Sequence, residues 1–76
     1  MSNLTTPIDP TLRASLAELF AGGGLYFVDL DGEQWYETAY TGTHLATGLP
    51  VRECWALGHG DAKRMFVTAE GGYYMD

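Results

Sequence analysis

Cysteine and basic residues are both scarce in this sequence. Cys54 is the only cysteine, which excludes an intramolecular disulfide, so the core must be stable without a covalent crosslink. Four Lys and Arg residues stand against ten Asp and Glu residues, for a formal net charge of −6. Direct binding of DNA or RNA is not expected, because phosphate binding requires clustered Lys and Arg. The same charge disfavours anionic membranes and favours a basic partner.

Long apolar runs and targeting signals are also missing. No run approaches the roughly 20 apolar residues of a membrane-spanning helix, and no basic segment leads into an apolar stretch near the N-terminus. We therefore expect a cytoplasmic protein without membrane association. The 76 residues, 46% of them hydrophobic, are typical of one small folded domain. We assign this domain to residues 9–76, after a flexible N-terminal arm over residues 1–8.

One helix is predicted, over residues 10–21. Asp9 can accept hydrogen bonds from free backbone N–H groups at a helix start, and Pro10 suits the first helical position. The apolar residues that follow lie on one helical stripe: Leu12, Leu16, Leu19 and Phe20. The glycine run at 22–24 ends the helix, because glycine takes the left-handed conformation without steric cost.

The remaining pattern is typical of strands separated by turns. Strands are predicted over residues 25–30, 33–40, 51–57, 62–69 and 73–75, with a loop over 41–50 that includes a helical turn at 44–47. Short connections between neighbouring strands favour antiparallel pairing. The predicted fold class is α+β, with one N-terminal helix packed on one face of a four- to five-stranded antiparallel meander.

The stretch Asp29-Leu30-Asp31-Gly32 resembles the nucleophile loop of haloacid dehalogenase-type phosphatases. That resemblance implies a nucleophilic Asp29 at the end of a parallel strand. The chain is too short for the parallel sheet this chemistry needs, a strand follows where a helical segment would be expected, and Glu33 replaces the usual threonine. We therefore interpret Asp31-Gly32 as a two-residue hairpin turn and expect no enzymatic activity.

This turn predicts the register of the first hairpin, with Leu30 opposite Glu33, Val28 opposite Trp35 and Phe27 opposite Tyr36. One face then carries Tyr26, Val28, Leu30, Trp35, Ala39, Glu33 and Glu37. The other carries Leu25, Phe27, Tyr36, Tyr40, Asp29, Gln34 and Thr38. Both faces are apolar, but one helix can cover only one of them. The second face is either ordinary surface or a contact for a partner or a second copy.

The sequence gives little support for a metal site or for a nucleophilic residue. The metal-capable residues are His44, Cys54, His59 and Asp61, and none stands at a paired ligand spacing. Cys54 beside Trp55 in a strand is interpreted as a small core residue. We therefore expect neither a metal nor another cofactor.

The charge pattern is the most informative feature for function. No Lys or Arg occurs between Arg13 and Arg52, whereas the first hairpin carries four acids. A strongly negative hairpin end is predicted, which serves either solubility or docking on a basic surface. The predicted partner-binding residues are Asp29, Asp31, Glu33, Trp35, Tyr36 and Glu37.

The leading hypothesis is a small acidic, non-enzymatic protein that binds a larger protein with a basic surface. One form of it is an inhibitor that occupies a nucleic-acid-binding site, as small phage anti-defence proteins, including anti-CRISPR proteins, do. This analogy rests on size and charge. The alternatives are a homodimeric structural or accessory module, or a small-molecule-binding domain that uses Tyr26, Trp35, Tyr36 and Trp55.

Overall fold

The fold is one N-terminal helix and a five-stranded antiparallel meander curled into a half-barrel, which confirms the predicted α+β class. The computed structural model describes residues 4–22, 27–30, 32–58 and 61–75. The elements are α1 (Pro10–Ala21), β1 (Phe27–Leu30), β2 (Glu33–Thr43), β3 (Pro50–Gly58), β4 (Asp61–Thr68) and β5 (Tyr73–Met75). The strand order is β1-β2-β3-β4-β5, so each strand pairs with its neighbours in the chain.

Helix α1 begins and ends where the sequence predicts. The Asp9 side chain accepts a hydrogen bond from the Thr11 backbone N–H at 2.9 Å, and Pro10 occupies the first turn. Gly22 follows the last helical residue with φ of 90°, a conformation that glycine adopts without strain. No helix in the described residues has the length and apolar composition needed to cross a membrane.

The first hairpin has the predicted register. Phe27 pairs with Tyr36, Val28 with Trp35, and Leu30 with Glu33. Gly32 has φ of 79°, as a tight hairpin turn requires. The predicted roles of Leu25, Tyr26 and Asp31 lie outside the described residues.

Strand β2 is longer than predicted and contains a bulge. It continues to Thr43, so the loop before β3 is shorter than the predicted 41–50. Glu37 pairs with Cys54 and Thr41 with Arg52, with a register shift between them, so β2 has more residues than β3 along this stretch. The sequence pattern places Ala39 on the same face as Trp35, but Ala39 falls in the bulge and is exposed, whereas Trp35 is buried.

The core lies between α1 and one face of the sheet, which we call the core face. Leu16 and Leu19 of the helix are fully buried there, and the sheet contributes Val28, Leu30, Trp35, Cys54, Ala56, Met65 and Val67. The indole N–H of Trp35 donates to the Leu30 carbonyl oxygen at 3.1 Å. This bond satisfies the polar atom of an otherwise apolar side chain that is fully buried.

The N-terminal segment contacts the last strand. Thr5 and Tyr73 exchange two backbone hydrogen bonds, of 2.7 and 2.8 Å, in an isolated antiparallel bridge. Part of the arm predicted over residues 1–8 is therefore paired with β5.

Candidate functional site

The sheet face opposite α1, which we call the outer face, presents three aromatic side chains in one row. Phe27 pairs with Tyr36, and Tyr36 pairs with Trp55 on the next strand. Their exposed fractions are 39%, 40% and 40%. We call these three residues the aromatic row; at the usual strand spacing it extends about 10 Å across the sheet.

Neighbouring contacts hold the aromatic row in place. The rings of Phe27 and Tyr36 lie 5.5 Å apart between centroids and are tilted by 40°, a favourable aromatic geometry. The Tyr36 hydroxyl donates to Gln34 Oε1 at 3.1 Å. Asp29 pairs with Gln34 and is exposed, so an acidic side chain borders the row on the same face.

A groove of about 510 Å³ lies on the outer face beside this row. It is lined by Tyr40, Gly42, Thr43, Leu45, Val51, Glu53, Arg64, Phe66 and Tyr74. The rings of Phe66 and Tyr74 stack with centroids 5.0 Å apart and planes within 19°. A β-carbon at Gly42 would lie 3.6 Å from the Tyr40 ring, an ordinary contact distance, so the ring lies over Gly42.

Glu53 places a carboxylate in the groove. Its side chain is 13% exposed and lies 3.8 Å from Nη1 of Arg64. The hydroxyl of Thr38 donates to Glu53 Oε1 at 3.4 Å. The groove therefore combines aromatic faces with one largely buried acid and one half-exposed base.

The structure separates the two aromatic residues of the predicted partner site. Tyr36 lies on the outer face, whereas Trp35 is 1% exposed in the core. Trp35 is therefore not available to a partner, because strand alternation directs it toward α1. Asp29 is exposed on the outer face, and Asp31 lies outside the described residues.

The acids of the first hairpin are closer to basic residues than the sequence suggests. Glu33 forms an ion pair of 2.8 Å with Lys63 on β4. Glu37 is half buried on the core face. Its Oε2 lies 3.7 Å from the point that a β-carbon at Gly22 would occupy, and Nη2 of Arg52 lies 3.5 Å from the same point. The negative charge expected at the hairpin end is therefore offset at Glu33 by Lys63 of β4.

The candidate metal ligands do not converge in the described part of the chain, where no group of three or more His, Cys, Asp or Glu could hold a metal ion. His44 is buried, with Nδ1 2.9 Å from the Thr47 hydroxyl oxygen and its ring edge-on to Tyr74. The predicted site roles of His59 and Asp61 lie outside the described side chains.

Cys54 has the environment of an unreactive thiol. Burial, and secondarily the Glu37 carboxylate, raises its pKa from 9.0 to about 12. The thiol therefore stays protonated near neutral pH, and only the thiolate is an effective nucleophile. This agrees with the interpretation of Cys54 as a core residue.

Sequence reasoning missed the groove and the place of Trp55 in the aromatic row. Part of the signal lay in the alternation of side chains along β3 and β4. Residues two apart in a strand share a face, and Trp55 and Phe66 each lie two residues from another residue of the outer face. The missing information was the long-range pairing of Glu53 with Phe66 and of Phe66 with Tyr74.

Comparisons with known proteins do not assign a family. No family model, curated protein or solved structure matches the chain.

Proposed function

We propose that this protein binds a larger protein through its outer face, covers a basic, nucleic-acid-binding surface of that partner and inhibits it. The aromatic row is the observation that supports this proposal most. Exposed Tyr and Trp side chains are enriched at the centres of protein interfaces, where their burial contributes much of the binding energy. Phe27, Tyr36 and Trp55 stand side by side on a face that α1 does not cover.

Charge determines the kind of partner that we propose. The net charge of −6 attracts a basic surface over distances of about a Debye length and speeds association. On the outer face, exposed Asp29 adds a local acid beside the aromatic row. In this arrangement the charges act mainly on the association rate, and the aromatic row acts mainly on the dissociation rate.

The proposal is tested by capture from host lysate with tagged protein, followed by identification of the captured protein and measurement of its binding kinetics. Tyr36→Ala and Trp55→Ala should each accelerate dissociation about tenfold or more. Ile8→Ser is the matched control, because Ile8 is 95% exposed and lies outside the outer face. Duplex DNA or RNA should compete for the captured partner, and higher salt should slow association.

Two results would contradict this function. If Tyr36→Ala and Trp55→Ala bind the captured protein as the unchanged chain does, the aromatic row is not the interface. If sedimentation shows a dimer that Tyr36→Ala converts to a monomer, the row is a contact between two copies, and the homodimeric alternative is correct.

A further inference from the structure

The groove beside the aromatic row has the chemistry of a receptor for a cationic side chain. Its walls include the rings of Tyr40, Phe66 and Tyr74, and aromatic faces attract cations through their quadrupole. Glu53 supplies a carboxylate within the groove, with its side chain 13% exposed. A partly desolvated carboxylate interacts with a cation more strongly than an exposed one.

We propose that this groove accepts an arginine side chain of the basic partner, an inference that rests on the proposed function. A guanidinium is planar, donates two parallel hydrogen bonds to a carboxylate and stacks on aromatic rings. The groove offers both kinds of contact, since Glu53 lies within it and three aromatic residues line it. Its volume of about 510 Å³ is within the usual range for small ligand sites.

Arg64 is a cation within the groove that would compete with an incoming guanidinium for Glu53. Its Nη1 lies 3.8 Å from Glu53 Oε2, and its side chain is 49% exposed. That distance is longer than a direct charge-assisted hydrogen bond of about 2.8 Å. An incoming guanidinium would therefore compete with Arg64 for the Glu53 carboxylate.

The test uses N-acetyl-L-arginine amide as a probe and needs no partner protein. It is titrated against the full chain while the backbone amide shifts of Val51, Phe66 and Tyr74 are followed by NMR. We expect saturable shifts at these amides with millimolar affinity. N-acetyl-L-citrulline amide, which has a similar shape without the charge, should bind at least about fivefold more weakly.

Three variants sharpen the result. Glu53→Gln should weaken binding of the arginine probe about fivefold, whereas Asp29→Asn, which removes an exposed outer-face acid that does not line the groove, should not change it. Arg64→Gln should strengthen binding, because it removes the competing cation. Melting temperature and amide shift dispersion show whether each variant is folded, and the Arg64→Gln result stands even if Glu53→Gln unfolds.

Several outcomes would overturn the arginine assignment. They are no saturable shift at the groove amides, equal binding of the citrulline probe, or weaker binding after Arg64→Gln. Preferred binding of N-acetyl-L-glutamate amide would make the groove an anion site. None of these results affects the capture experiment with Tyr36→Ala and Trp55→Ala, so failure of the groove and failure of the aromatic row are distinguishable.

Discussion

Arg52 is joined to Phe20 by a hydrogen bond in which its Nε donates to the Phe20 carbonyl oxygen at 2.7 Å. Phe20 lies in the last turn of α1, where carbonyl groups lack intrahelical partners. Nη1 of the same side chain donates to the Thr38 carbonyl oxygen in the β2 bulge, at 2.8 Å. One guanidinium thus satisfies both a helix end and an irregular strand, and its charge is favourable at a helix C-terminus.

Replacement of Arg52 should destabilise the fold. Arg52→Met removes both hydrogen bonds and should cost about 2–3 kcal/mol. Arg52→Lys should recover only part of this loss, because a single ammonium lacks the fork that reaches two carbonyls. Urea unfolding measures both. Lys63→Met is the control, since it breaks an ion pair whose lysine is 59% exposed and should cost less than about 1 kcal/mol; equal losses for Arg52→Met and Lys63→Met would contradict the bridging role.

The buried stripe of α1 should account for much of the stability. Leu16 and Leu19 are both 0% exposed, so Leu16→Ala and Leu19→Ala should each cost about 2–5 kcal/mol. Glu18→Ala changes an exposed position between them and should stay within about 0.5 kcal/mol. Chemical unfolding of the three variants compares them. A cost below about 1 kcal/mol at both leucines would show that α1 does not cover the core.

Gly71 and Gly32 have similar φ angles, but replacement by alanine should destabilise the fold to different extents at the two positions. Gly71 has φ of 87°, and a β-carbon there would overlap the Arg13 carbonyl oxygen. Gly32 has φ of 79° and no atom within 4 Å of that position. Gly32→Ala should therefore cost about 1–2 kcal/mol from backbone strain alone. Gly71→Ala should cost clearly more, because α1 must also move; similar melting temperatures for the two variants would contradict this close approach.

Cys54 should make stability fall at alkaline pH. Its pKa is raised from 9.0 to about 12 in the folded protein, so above pH 9 the unfolded chain loses the thiol proton first. Deprotonation then favours unfolding by up to about 1.4 kcal/mol per pH unit between pH 9 and 12. Urea unfolding at several pH values should show a steeper decline for the unchanged protein than for Cys54→Ala. Parallel curves would mean that the thiol pKa is not raised by folding.

Local chemistry made the helix and the first hairpin predictable. The spacing of Leu12, Leu16 and Leu19 reports the buried side of α1 directly, and Asp9 and Gly22 mark its ends. The two-residue turn predicts the pairing of β1 with β2 because side chains alternate strictly along a strand. Both signals depend on residues that are close in the chain.

The bulge and the charge arrangement depend on residues that are distant in the chain. The Thr38 carbonyl in the bulge is bound by Arg52, and Glu33 is paired with Lys63. A count of charges along the sequence therefore overstated the negative charge of the hairpin. The pairing of β2 with β3 and of β3 with β4 had to be known first.

The sequence predicted a site with aromatic residues, but it did not predict which of them are exposed. Both faces of the first hairpin carry aromatic residues, so the sequence left Trp35 and Tyr36 as alternatives. Packing of α1 decides between them, since the helix covers Trp35 and leaves Tyr36 exposed. The groove joins side chains from four consecutive strands, which no single window of the sequence contains.

The bridge between Thr5 and Tyr73 affects the order in which a newly synthesised chain can complete its fold. The meander can form hairpin by hairpin as the ribosome releases each strand, because every strand pairs with the one before it. Thr5 is synthesised before α1 and the first four strands, whereas its partner Tyr73 is synthesised after them. The segment ahead of α1 therefore takes its final place after translation of the sheet has finished, and a ribosome stalled before β5 would display a nascent chain with this segment unpaired.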